Sequence, residues 1–120
     1  MTVKEFIKRT HINNQGYKGM KEPLFRPVVF CKDGFNVSIQ ASEFHYCTPR
    51  EFTDKYSRVE IGYPSLRVPE FSKYIDNHDN YLDNYDHTNA IFPFVPVSVV
   101  EKVVKQHGGI DFERTIKTKK

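Results

Sequence analysis

Cysteine is scarce in this chain: Cys31 and Cys47 are the two among 120 residues. A secreted scaffold of this size held together by disulfides would carry more, so a pair of thiols is expected rather than a bridged framework. No apolar run approaches the ~20 residues needed to span a bilayer. The opening stretch, MTVKEFIKRT, is too charged for a signal peptide, which points to a soluble, intracellular protein. Internal repeats and low-complexity tracts are also missing, so a repeat architecture is excluded. Nor does either sign of charge dominate, with 18 Lys and Arg against 15 Asp and Glu. A protein imitating DNA would be broadly acidic, and one gripping phosphates would carry one continuous basic face. Here two basic ends flank an acidic middle, DNHDNYLDNYDH, and fit neither pattern.

Aromatics are plentiful, with ten Phe and seven Tyr to supply apolar area to a modest core. The strongest local pattern is RPVVFCKDGFNVSIQAS. Val28, Val29 and Phe30 favour a pleated surface, and Asp33-Gly34 supplies a hairpin turn. Phe35, Val37, Ile39 and Ala41 then alternate with Asn36, Ser38, Gln40 and Ser42, one face inward and one outward. KYSRVEIGYPS predicts a further strand, with Tyr56, Arg58 and Glu60 on one face and Val59, Ile61 and Tyr63 on the other. PEFSKYI reads as a short helix with Pro69 at its first position. In PVSVVEKVVKQHGGI, Ser98 and Glu101 have the spacing of a capping box, and Val100, Val103 and Val104 share a face. Gly109 is expected to close that helix and let Ile110 fold back towards Val104. TVKEFIKRTH permits one or two turns of amphipathic helix, or an extended segment.

The resulting expectation is an α+β fold of one domain. A small antiparallel sheet rests on a 27–42 hairpin plus a 56–63 strand, packed by a C-terminal helix at about 98–107. Residues 1–25 form an N-terminal arm, 76–92 a polar acidic loop and 111–120 a basic tail. An unpaired hairpin edge would offer a template for a homodimer.

The segments DGFNVSIQASEFHYCTPR, YSRVEIGYPS and FVPVSVVEKVVKQHGGI together resemble a widespread family of small phage and prophage proteins. The resemblance covers about residues 26–110, and His-Tyr-Cys-Thr-Pro-Arg is its most specific part. It implies a phage setting and no particular chemistry. With the small size of the chain, the expectation is an accessory protein of the host cytoplasm that binds a protein, in its sharpest form an inhibitor of a host defence complex. The N-terminal arm and the Asp/Asn/Tyr-rich insertion depart from the family pattern.

The densest candidate site is ASEFHYCTPR with its flanks: Gln40, Ser42, His45, Tyr46, Cys47, Arg50 and, across the sheet, Glu60. If the strand continues, His45 and Cys47 share a face, and with Cys31 they offer soft ligands to zinc. A fourth ligand would come from His11, His78, His87 or His107. That spacing belongs to no standard zinc finger, so a structural histidine with two buried thiols is favoured and no cofactor is expected. Cys47 with His45 as base lacks an orienting carboxylate other than Glu60, which weighs against an enzyme. Arg50 and Glu60 suggest a cross-strand ion pair. Asp76, Asp79, Asp83 and Asp86 lack the glycine and terminal glutamate of a calcium loop. Tyr74, Tyr81 and Tyr85, set among Asp and Asn, are candidate anchors for a host or phage protein partner. Nucleic acid is the alternative partner, through Lys4, Lys8, Arg9, Lys18, Lys21 and the C-terminal lysines.

Overall fold

The computed structural model describes residues 1–10, 25–51, 53–75 and 86–117. Its centre is a four-stranded antiparallel sheet in the order β1-β2-β3-β4. Strands β1 (Val29–Phe30) and β2 (Asn36–Gln40) form the expected hairpin, with Val29 opposite Val37 and Phe30 opposite Asn36. Gly34 makes the turn with φ +98°, donating to the Cys31 carbonyl at 2.9 Å, while Cys31 donates to the Phe35 carbonyl at 2.8 Å. A side chain at that angle would crowd its own backbone, so glycine fits there at no steric cost. The predicted alternation holds on its apolar face: Phe35, Val37, Ile39 and Ala41 are all buried. On the polar face it holds only in part, since Gln40 and Ser42 are buried too.

Strand β3 spans Arg58–Gly62, shorter than the expected 56–63. Val59 and Ile61 enter the core as predicted, but Tyr56 and Tyr63 exchange roles. Tyr56 is buried, with its hydroxyl donating to the Glu51 carbonyl at 2.7 Å. Tyr63 turns outward at φ +50° and stands 56 % exposed. Alternation fails at both ends because neither residue lies in the ladder, and a face is fixed only where pairing persists.

The fourth strand, β4 (Ile91–Pro96), lies partly in what the sequence presented as the 76–92 loop. Its sequence, IFPFVP, hides it, because proline cannot donate to a ladder. Pro96 is the last residue of the strand, and the pairing shows how Pro93 fits. Val59 pairs with Val95 while Ile61 pairs with Phe92, so Pro93 and Phe94 together face the single residue Glu60. That bulge leaves Phe94 at φ +57° and swings its ring out of the strand. A left-handed conformation at a phenylalanine costs about 1–2 kcal/mol.

Helix α1 (Val3–Arg9) settles the open reading of the first residues: Val3, Phe6 and Ile7 are core. Helix α2 (Val97–Gln106) buries Val97, Val100, Val103 and Val104 and packs against α1 and β4. The capping box expected at its start is not formed. Pro96 occupies the cap position and no side chain caps the helix. Glu101 instead reaches α1, accepting from Val3 N–H at 2.9 Å and Lys4 N–H at 3.2 Å. A capping box forms instead on α1, between Thr2 and Glu5. With Glu101 added, the donors at the start of α1 are all matched. The close of α2 falls on Gly108, one residue earlier than expected, at φ +92°, with Gly109 N–H reaching back to the Val104 carbonyl at 2.9 Å. Ile110 does fold back into the core.

The edge of the hairpin is closed. Thr115 Oγ1 accepts from Phe30 N–H at 2.9 Å, and Asp111 N–H donates to the Phe30 carbonyl at 2.7 Å. Both come from the segment read as a basic tail, in which Phe112–Lys117 is helix α3. Phe30, at the edge from which pairing with a twin was expected, is thus already bonded to the chain's own later segment. The predicted helix at Pro69 is present as a 3-10 helix, Pro69–Tyr74, and a short one follows at His87–Asn89.

Candidate functional site

After Gln40 the chain leaves the sheet and folds into a turn built around Ser42. Its hydroxyl accepts from Phe44 N–H at 2.9 Å and lies 2.7 Å from His45 Nδ1. The Ser42 carbonyl takes the Cys47 thiol at 3.0 Å. Residues 42–47 are therefore not the continuing strand on which the His45–Cys47 pairing was argued. Both side chains are nonetheless buried, each bonded to Ser42. A cis Thr48–Pro49 peptide follows, and Thr48 then bridges to Arg58.

The turn is held against the sheet by two backbone bonds. Glu60 Oε1 accepts from Tyr46 N–H at 3.0 Å, and Phe94 N–H, freed by the bulge, donates to the Tyr46 carbonyl at 3.1 Å. These ties bring the Tyr46 ring to 5.9 Å from that of Phe94. The Arg50 guanidinium lies 5.3 Å over the Tyr46 ring. The expected Arg50–Glu60 ion pair is not made, because Glu60 is taken by the turn backbone and Arg50 by the ring. On the other side of the turn, Phe25 meets the His45 ring edge-on at 5.3 Å. Phe44, 60 % exposed, and Tyr46, 45 %, stand on the turn itself, while Phe94, 39 %, lies beside Tyr46 from β4 and Phe25, 62 %, lies against His45.

Beneath them lies a polar anchor that sequence reasoning missed. Arg26 is buried, and its backbone exchanges two bonds with the Gln40 amide, at 2.8 and 2.9 Å. Its guanidinium donates to the Ala41 carbonyl, to Thr10 Oγ1 at 2.9 Å and to the Ile7 carbonyl at 3.4 Å. One arginine thus joins the end of α1 to the end of β2, where the turn begins. Gln40, placed in the candidate site, serves this joint rather than the surface.

Nothing in the turn is set for nucleophilic chemistry. Burial pushes the Cys47 thiol up and holds the His45 imidazole below its ordinary range. Cys31 is pushed up to about 11, by burial first and by Asp33 next. A thiol in that condition is a poor nucleophile at neutral pH. Ser42 and His45 stand at the distance of a nucleophile and its base, yet both are buried and the hydroxyl already serves the turn. Both cysteines are free, and Cys31 sits apart on the hairpin, bridging to Ile110. Among the described residues no three His, Cys, Asp or Glu side chains gather as a metal site.

The other candidates disperse. His107 stacks on Phe35 at 4.1 Å and bonds Asp33 at 2.7 Å, tying α2 to the hairpin turn. His87 is buried, accepting from Val68 N–H at 3.1 Å, and burial lowers its pKa. Asp86 caps the 3-10 turn through Thr88. Tyr74 is half-buried beneath Lys73 at 5.5 Å. Tyr81, Tyr85, Asp76, Asp79, Asp83, His11, His78, Lys18, Lys21, Lys119 and Lys120 lie outside the described residues. Phe25, Phe44 and Phe94 were not singled out from sequence. Phe94 acquires its exposure from a bulge that sequence does not announce.

Comparison of the chain with family models, with curated proteins and with solved structures finds no match in any of the three. No helix among the described residues is long and apolar enough to cross a membrane.

Proposed function

We propose that this chain acts by binding a protein partner through the aromatic surface of residues 25 and 44–50 with Phe94. The observation that carries this reading is Phe94 itself. A non-glycine residue is held in a strained conformation, and its ring faces solvent beside Tyr46 rather than the core. Four exposed rings with an arginine over one of them make the composition of an interface hot spot, where aromatics and Arg carry most of the energy. Such rings bring large contact area at low entropy cost. The buried Arg26 joint and the Ser42 turn stiffen the platform, which lowers the ordering cost of binding.

The resemblance implies a phage setting, in which the proposed role is that of an accessory protein of the host cytoplasm, with a host defence complex as its sharpest target class. The test is affinity capture from host lysate with the intact chain and with a Tyr46→Ala/Phe94→Ala variant. A stoichiometric partner retained by the first and lost by the second supports the reading. Equal capture by both, or no stoichiometric partner, overturns it.

A further inference from the structure

A second surface, sharing no residue with the aromatic one, lies between α1, residues 54–57 and the start of α2. It is an open groove of about 970 Å³, near the top of the ~300–1,000 Å³ range of ligand sites. Ile7, Tyr56 and Val97 contribute its apolar part, and Lys4, Lys8 and Lys55 its cationic part. Lys4 and Lys8 stand one helical turn apart on the same face, an arrangement that by itself disfavours a helix. None of the three lysines is in an ion pair with a described carboxylate.

Two carboxylates line the same groove, and one of them is already engaged. Both oxygens of Glu101 are bound to the backbone of α1. That leaves Asp54 to face three ammonium groups. Because Ile7, Tyr56 and Val97 are themselves buried, the aliphatic stems of those lysines supply the apolar area a ligand would touch.

We propose that this groove binds an acidic, partly apolar peptide segment of a partner. Charge complementarity selects carboxylates for the lysines, and the lysine stems, over buried Ile7 and Val97, receive the apolar side chains between them. A nucleic acid strand fits the groove less well. Among the described residues its one aromatic, Tyr56, is 7 % exposed and offers no ring face for base stacking. No arginine lines it to fork onto a phosphate.

The experiment is fluorescence anisotropy with a labelled peptide in which Asp and Glu alternate with Leu and Phe. A labelled single-stranded oligonucleotide of equal charge serves as the competing probe. The intact chain is expected to bind the peptide, more weakly as salt rises. Combined Lys4→Gln, Lys8→Gln and Lys55→Gln substitutions reduce that affinity about tenfold, because three exposed attractions are removed. The corresponding Lys→Arg variant retains it. All three positions are exposed, and circular dichroism confirms that each variant is folded. Tighter binding of the oligonucleotide, no binding of the peptide, or equal peptide affinity in the glutamine variant overturns the proposal. The Tyr46→Ala/Phe94→Ala variant is expected to bind the peptide unchanged, which separates this groove from the aromatic surface.

Discussion

Removing the Glu101 side chain tests how the two halves of the fold are joined. Helix α1 has seven residues, too few to persist alone, so its start depends on what α2 provides. Glu101 supplies acceptors for two of its orphan donors, at 2.9 and 3.2 Å, and places a negative charge at the positive end of the helix. Loss of such a cap costs about 0.5–2 kcal/mol, and loss of the charge about 0.3–1 kcal/mol. Alanine is a slightly better helix former than glutamate, so α2 itself does not suffer. We expect Glu101→Ala to destabilise the protein by about 1–2 kcal/mol in denaturant unfolding, or ~4–8 °C in melting temperature for a chain of 120 residues. Amide exchange at Val3 and Lys4 should accelerate. Ser98→Ala should be silent, because Ser98 is exposed and caps nothing. The reasoning is refuted if Ser98→Ala costs as much as Glu101→Ala, the outcome a capping box at the start of α2 would give.

Replacement of Arg26 by Met strips a donor set from three buried or half-buried acceptors and should cost about 3 kcal/mol in urea unfolding; a loss below about 1 kcal/mol would remove Arg26 as the joint between α1 and β2. Phe94→Gly relieves about 1 kcal/mol of backbone strain, so the unfolding midpoint should hold or rise while partner capture is lost. A clear fall in midpoint would mean that the ring is held by packing rather than displayed. Burial lowers the pKa of His45 and His87, so both are neutral in the folded and unfolded chains above roughly pH 6.5 and contribute nothing there. As pH falls below that value the unfolded chain takes up protons first, and stability declines. Hydrogen bonds from Phe35 N–H to Asp33, and from the Thr88 hydroxyl and N–H to Asp86, lower both carboxyls; their contribution, present above ~pH 4, is lost as pH falls below it. An unfolding midpoint flat from roughly pH 7 to pH 5 would contradict the histidine part. Native Cys31 and Cys47 should react slowly with a thiol reagent and at the unperturbed rate after unfolding; fast modification of the folded protein would contradict their burial.

Sequence by itself determined the hairpin, the apolar faces of β2 and α2 and the α+β class. Each of these rests on a period of two or 3.6 residues, or on a turn dipeptide whose geometry is local. It also singled out the stretch around His45, because an unusual mixture of side chains is visible without coordinates. What each of those side chains does was decided by distant neighbours. Glu101 has the spacing of a cap for its own helix, yet it caps another that begins 98 residues earlier in the chain. His45 bonds Ser42 rather than Cys47, because the strand ends at Gln40 and the chain turns. β4 was hidden by its prolines: Pro93 sits in a bulge, where its missing N–H is not needed, and Pro96 is the last residue of the strand. That same bulge turns Phe94 outward, and Arg26 is buried because carbonyls from α1 and β2 converge on it. Local rules fix which faces are apolar; whether a polar or aromatic side chain is buried, bonded or displayed depends on which backbone groups tertiary contact brings within reach.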